Sequence, residues 1–122
     1  MRVLIIEDDM ILAMSLEIML KNLGYSKIKK AYTGESALET IVDFKPDLML
    51  VDIVLGEGIT GIDVVKKVQE KEDVPVIYIT GNSDNYHRNL ADETKYVSYL
   101  VKPITFNEMK KVLEEKKIDI VS

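Results

Sequence analysis

Four clusters of polar residues interrupt an otherwise apolar sequence, each directly after a run of strand-forming residues. They are Glu7-Asp8-Asp9, Asp52, Thr80-Gly81 and Lys102-Pro103. Brought together, these residue types suit the chemistry of a phosphoryl group. A carboxylate can serve as the nucleophile, and Lys102 offers a compact positive charge to a phosphate oxygen. Thr80 offers a hydroxyl donor, with Gly81 leaving space beside it. Gathering Glu7, Asp8 and Asp52 is costly, since two like charges ~5 Å apart repel by ~3 kcal/mol at an effective dielectric near 20. A divalent cation cancels that repulsion. An all-oxygen, carboxylate-rich site with few protein ligands, open to water and phosphate, suits Mg²⁺ better than Zn²⁺ or Ca²⁺. The same ion neutralises an incoming phosphoryl group, whose in-line transfer depends mostly on positioning and charge stabilisation.

The elements must deliver those clusters to one place. Residues 3–6 read as a strand buried on both faces, because no polar residue alternates with the apolar ones. Leu12, Leu16, Met19, Leu20 and Leu23 then recur at helical spacing, and Gly24 is placed to end that helix. Residues 28–32 form a weaker, lysine-bearing strand suited to a sheet edge. Thr33 caps the next helix, with Leu38, Ile41 and Val42 inward and Pro46 as its stop. Residues 48–51 and 76–79 repeat the buried-strand pattern. Between them, Gly56, Gly58 and Gly61 punctuate a loop before a helix presenting Val64, Val65 and Val68. A polar helix over 83–94 has only Tyr86, Leu90 and Ala91 to bury, and 98–101 is the fifth strand. Thr105 and Glu108 form a capping box that opens the last helix, with Phe106, Met109, Val112 and Leu113 inward.

Five strands alternating with five helices predict a doubly wound α/β domain, a parallel sheet with helices on both faces. In such sheets ligands bind at the carboxyl ends of the strands, near the point where strand order reverses. With the second strand at the edge and an order of 2-1-3-4-5, the four polar ends become neighbours on one rim.

The 122 residues make one domain, with a core over about 2–117 and a tail or the start of a linker over 118–122. An apolar share of 47% with only three prolines excludes disorder over most of the chain. No apolar run approaches the ~20 residues of a membrane span. Met1 runs straight into the first strand, leaving no space for a signal peptide. Zero cysteines exclude a disulfide framework, thiolate metal sites and cysteine nucleophiles, and fit a reducing, cytoplasmic setting. A net charge of −5 leaves no electrostatic footprint for nucleic acid.

Read in order, Val-Leu-Ile-Ile-Glu-Asp-Asp (3–9), Pro-Asp-Leu-Met-Leu-Val-Asp-Ile (46–53), Pro-Val-Ile-Tyr-Ile-Thr-Gly (75–81) and Tyr-Leu-Val-Lys-Pro (99–103) carry a family resemblance. Together they resemble the receiver domains of two-component response regulators, from Arg2 to about Lys117. Each motif is weak alone; all four in order, each on its own strand, are specific. The resemblance implies a flavodoxin-like (βα)5 fold with strand order 2-1-3-4-5. It implies a signalling domain that catalyses only its own phosphorylation and dephosphorylation. Asp52 matches the phosphoacceptor, and Asp8 the direct Mg²⁺ ligand, with Glu7 more often acting through water. Val54 would give the metal its backbone carbonyl. Thr80 and Lys102 match the phosphoryl-binding hydroxyl and ammonium, and a cis Lys102–Pro103 peptide is implied. Tyr99 matches an aromatic that swings inward as Thr80 moves onto the phosphoryl group. The implied phosphodonor is a histidine kinase or histidine phosphotransfer protein. The implied output is a changed surface of the fourth helix, fifth strand and fifth helix that engages or releases an effector. The protein is then a monomer or a weak, phosphorylation-dependent homodimer.

Three departures stand out. Glu7 replaces the commoner aspartate and reaches further. The loop after Asp52 is one residue longer than usual, with Gly56 where proline is frequent. Val54 and Asn82 occupy the two positions whose side chains face the phosphoryl group in this family, beside Gly81. An apolar Val54 cannot orient an attacking water, which predicts a long-lived aspartyl phosphate.

Blander readings apply to other residues. Asp9 reads as the cap of the first helix. His87, the single histidine, reads as an inert surface residue. Met10, Met14 and Met19 fit core or helix-surface packing, and the pairs Lys110-Lys111 and Lys116-Lys117 a solvated helix face. Glu7-x-Asp9 resembles the acid pair of Mg²⁺-dependent phosphatases, but their nucleophile position needs aspartate and no cap domain is present to enclose a substrate. A flavodoxin-like electron carrier needs a hydroxyl-and-glycine loop after the first strand, where three acids stand. A degenerate receiver that only binds partners is the third alternative, although every required residue is present.

Overall fold

Aliphatic runs without polar alternation have no face to turn to water, so their strands must be covered on both sides. The chain satisfies this as β1 (Arg2–Ile6), α1 (Met10–Asn22), β2 (Lys27–Ala31), α2 (Gly34–Phe44), β3 (Leu48–Asp52), α3 (Gly61–Gln69), β4 (Val76–Thr80), α4 (Asn85–Ala91), β5 (Ser98–Val101) and α5 (Phe106–Glu115). The structure, a computed structural model, describes residues 1–56, 58–81 and 85–115. The strands pair in parallel in the order β2-β1-β3-β4-β5.

Side chains of a strand alternate between faces, which divides the core in two. Leu4, Ile6, Met49, Val51, Val76 and Tyr78 point to the face covered by α2, α3 and α4. Val3, Ile5, Leu48, Leu50, Ile77 and Ile79 point to the face covered by α1 and α5. The lysine-bearing β2 lies at the edge, spanning 27–31, one residue earlier than expected.

Local chemistry sets where helices start and stop. The Asp9 carboxylate accepts from the Ile11 and Leu12 N–H groups, so α1 begins directly after the acidic cluster. Gly24, at φ 102, ends it: the Gly24 N–H donates to the Lys21 carbonyl and the Tyr25 N–H to the Leu20 carbonyl. Thr33 caps α2, and reciprocal side-chain bonds join Thr60 with Asp63 and Thr105 with Glu108. The expected inward set is right for Val64, Val65 and Val68 of α3 and for Met109 and Leu113 of α5.

Three expected core residues are not in the core. Val42, Tyr86 and Phe106 are exposed. On α2 the inward stripe is Gly34, Ala37, Leu38, Ile41 and Phe44, at i, i+3, i+4, i+7 and i+10, and Val42 lies off it. Tyr86 stacks edge-on against His87 instead of the sheet, and Phe106 flanks the Met109–Leu113 stripe. Helix α4 also stops at Ala91, short of the expected Thr94. The Thr94 hydroxyl donates to the Ala91 carbonyl, and the Glu93 and Thr94 N–H groups bond three residues back, a tighter turn than an α-helix. Residues 83 and 84 of the expected helix, Lys116-Lys117 and the 118–122 tail lie outside the described residues. Among the described residues, no helix is long and apolar enough to cross a membrane.

Candidate functional site

The rim formed by the carboxyl ends of β1, β3, β4 and β5 collects the polar clusters. Asp52 ends β3 and is 4% exposed; Glu7 follows β1 and is 1% exposed; Asp8 stands beside it in solvent. One ligand oxygen from each of the three lies within 4.8 Å of the others. Lys102 comes from beyond β5, where its N–H donates to the Thr80 carbonyl at 2.8 Å. Strands lie ~4.8 Å apart, so Asp52, two strands away, is ~10 Å from that backbone and only a long stem spans the gap. The Lys102 Nζ donates to Asp52 Oδ2 at 2.9 Å and to Glu7 Oε1 at 3.0 Å. The Val54 N–H holds the other Asp52 oxygen at 3.2 Å. Each carboxylate oxygen of Asp52 therefore has its own donor.

The electrostatics follow from this crowding. Burial, reinforced by the Asp52 carboxylate, pushes the Glu7 carboxyl up to about 8, against the pull of Lys102. Burial works against the Lys102 charge, but the bonds to Asp52 and Glu7 outweigh it and raise that group too. Glu7 Oε2 is buried and has no hydrogen-bond partner among the described residues. An orphaned buried oxygen, three converging carboxylates and an all-oxygen donor set fit a hard divalent cation such as Mg²⁺.

The loop leaving Asp52 is fixed by close backbone approach. Ile53 and Leu55 are buried in the α2–α4 half of the core, and the Gly61 N–H donates to the Ile53 carbonyl at 2.9 Å. A Cβ on Gly61 would lie 2.0 Å from the Asp52 carbonyl oxygen, so no side chain fits. Gly56 and Gly58 take positive φ, and the Ile59 N–H donates to the Glu35 carboxylate of α2. The Val54 side chain is exposed at the rim.

Thr80 is buried at the end of β4, between Asp52 and Lys102 in strand order. Gly81 is open, with no atom of the described residues within 4 Å of a Cβ placed there, and Asn82 lies outside those residues. The Lys102–Pro103 peptide is cis. Tyr99 sits away from the acids, on the α4 side of the sheet, packed with Tyr78 and Tyr96. Sequence reasoning gathered Glu7, Asp8, Asp52, Thr80 and Lys102 on this rim. It missed that Lys102 bridges two carboxylates, that Glu35 ties down the loop, and that the Arg88 guanidinium lies over the Tyr99 ring. The crowding of acids signalled the first; nothing in the sequence signalled the other two.

Comparison with known proteins gives a consistent picture. The family model described as the response regulator receiver domain matches residues 3–114. The response regulator ArlR of Staphylococcus aureus is 30% identical over 108 residues, 88% of this chain and 48% of that protein. The chain thus spans about half the length of the curated relatives it matches. Among solved structures, the N-terminal domain of a three-domain response regulator/sensory box/GGDEF protein from Carboxydothermus hydrogenoformans superposes with a TM-score of 0.86 at 28% identity, covering 95% of this chain and 93% of that one. The receiver domain of a sensor histidine kinase from Pseudomonas aeruginosa, solved with a magnesium ion in its active-site cleft, gives 0.83 at 24% identity over 97% and 98%. At that identity the likeness speaks for the fold.

Proposed function

The chain belongs to the response regulator receiver domain family, and from that premise we propose that it is a phosphorylation-controlled switch whose phosphoacceptor is Asp52. The observation that carries the reading is the placement of one oriented, buried aspartate between an acidic cluster and a lysine ammonium. An oxygen of Asp52 attacks phosphorus; the new P–O bond forms as the P–N bond to a phosphohistidine breaks. The leaving imidazole keeps that electron pair and takes up a proton. The Val54 N–H holds the Asp52 carboxylate in one orientation for the attack, and Lys102 turns its ammonium to a phosphoryl oxygen. Thr80 supplies a hydroxyl to another, and the open space at Gly81 admits the group. Mg²⁺ held by Glu7, Asp8, Asp52 and the Val54 carbonyl supplies charge neutralisation for the incoming phosphoryl group.

The phosphodonor in this reading is a histidine kinase or histidine phosphotransfer protein. Support comes from Met10, Ile11, Met14 and Ile18, an exposed apolar stripe along α1 that starts beside the acids. The added charge, up to about −2, draws Thr80 inward and lets Tyr99 follow, changing the α4–β5–α5 surface that an effector reads. The domain works as a single receiver unit in the cytoplasm, as a monomer or a weak phosphorylation-dependent homodimer. Intact mass after incubation with a small phosphodonor tests the reading. One phosphoryl group should be gained by wild type with Mg²⁺, and none without Mg²⁺ or in Asp52→Asn. No gain under conditions where Mg²⁺ binds would leave only a partner-binding role.

A further inference from the structure

Helix α4 buries only Ala91 fully, with Leu90 partly buried against the same core, so side-chain attachments add to a thin apolar contact in holding it to the sheet. Three tyrosines provide them. Tyr78 and Tyr99 are register partners on β4 and β5, and with Tyr96 their rings form a triangle with centroids 5.4 to 6.5 Å apart. The phenols of Tyr78 and Tyr96 reach the turn after α4. The Tyr78 hydroxyl bonds Thr94 Oγ1 at 2.7 Å, and the Tyr96 hydroxyl donates to Asp92. The Thr94 proton goes to the Ala91 carbonyl, so Tyr78 is the donor of the pair. The Tyr99 ring carries the guanidinium carbon of Arg88, from the middle of α4, 4.5 Å from its centroid.

We propose that Arg88 is a positioning residue that clamps Tyr99 by a cation–π contact, so that leaving this arrangement, and hence switching, requires the clamp to break. The proposal rests on the reading of Asp52 as the phosphoacceptor of a Tyr99-linked switch. A guanidinium over an aromatic face is attracted by the ring quadrupole, and Tyr99 cannot swing away while keeping that geometry unless α4 moves with it. A contact made only in the unphosphorylated arrangement opposes phosphoryl-site ligands by its own free energy. Removing it therefore tightens binding of such a ligand by about two- to fivefold, the worth of a partly exposed cation–π pair.

The test is calorimetric titration of beryllofluoride, an inert phosphoryl mimic, into the Mg²⁺-loaded protein. Wild type, Arg88→Met, Tyr99→Leu and the double variant are compared. Arg88→Met keeps an unbranched stem and loses the charge, and should bind the mimic about two- to fivefold more tightly than wild type. On the Tyr99→Leu background the same substitution should change nothing. A purely structural Arg88 would lower the melting temperature without tightening binding. Equal or weaker binding by Arg88→Met, or the same gain on both backgrounds, overturns the clamp while leaving the phosphoacceptor reading intact. Absence of binding by wild type overturns both.

Discussion

Replacing Lys102 with methionine removes a charge while keeping an unbranched side chain of similar length, and the consequences can be worked from the distances. The ammonium lies 2.9 Å from Asp52 and 3.0 Å from Glu7, both nearly buried. The contact with the Asp52 carboxylate is worth ~5 kcal/mol gross at an effective dielectric of 20, that with Glu7 is a weaker hydrogen bond to a carboxyl raised to about 8, and desolvation of the lysine offsets a large part. Taking one partner from a buried pair costs ~3–5 kcal/mol net. The lower end applies because Glu7, raised to about 8, keeps its proton at neutral pH and is not left as a bare carboxylate. A loss of ~3 kcal/mol in a domain of this size lowers Tm by ~10 °C. Scanning calorimetry in chelator should show that drop for Lys102→Met. Millimolar Mg²⁺ should then restore more stability to the variant than it adds to wild type, since the ion supplies the missing positive charge. A variant that melts within ~2 °C of wild type in chelator, or equal stabilisation of both by Mg²⁺, would refute the reasoning.

Val54→Asn places an amide where water must approach Asp52, and should shorten the aspartyl phosphate lifetime ~10-fold, less than the ~10²–10⁴ of a full general base; an unchanged decay in a phosphate-release assay counts against it. Gly61→Ala sets a Cβ 2.0 Å from the Asp52 carbonyl oxygen and strains the Gly61–Ile53 bond. It should cost ~3 kcal/mol in urea unfolding, whereas Gly81→Ala, in open space, should unfold like wild type. Burial raises the Tyr78 hydroxyl from 10.0 to about 12. The folded state therefore binds more protons than the unfolded state between those values, and stability falls as pH rises through that window, by about 3 kcal/mol in all. Tyr78→Phe should lack that part of the alkaline slope, which paired urea melts at stepped pH would reveal.

The sheet and its polar rim were legible because their signals are strong and local. Unbroken aliphatic runs make fully buried strands, and each rim residue is the one that interrupts its run. Caps were equally plain, as at Asp9, Thr33 and Thr105, where a side-chain oxygen stands three residues or fewer before the N–H it accepts from. What was not legible depends on the other elements. Val42 is as apolar as Ile41, and only the angle at which α2 meets the sheet puts it in solvent. Met10 and Met14 read as core or helix-surface packing, and the surface is where they lie, with Ile11 and Ile18, because the face covering Leu48 and Ile77 is already filled by Ala13, Leu16 and Leu20. The Glu35 and Arg88 contacts join residues 24 and 11 positions apart on separate elements, which no periodicity encodes.

The strand order also bears on how the chain assembles. Strands β1, β2 and β3 pair among themselves, so the first 52 residues can build a three-stranded unit before the rest joins. That unit already brings Glu7, Asp8 and Asp52 to one rim, while their counter-charge waits on the far side of β4. A nucleus built from that unit is electrostatically frustrated, and docking of the last strand relieves the frustration as it closes the sheet. Divalent cations should consequently speed refolding, rather than only slow unfolding, if the N-terminal unit is formed in the transition state.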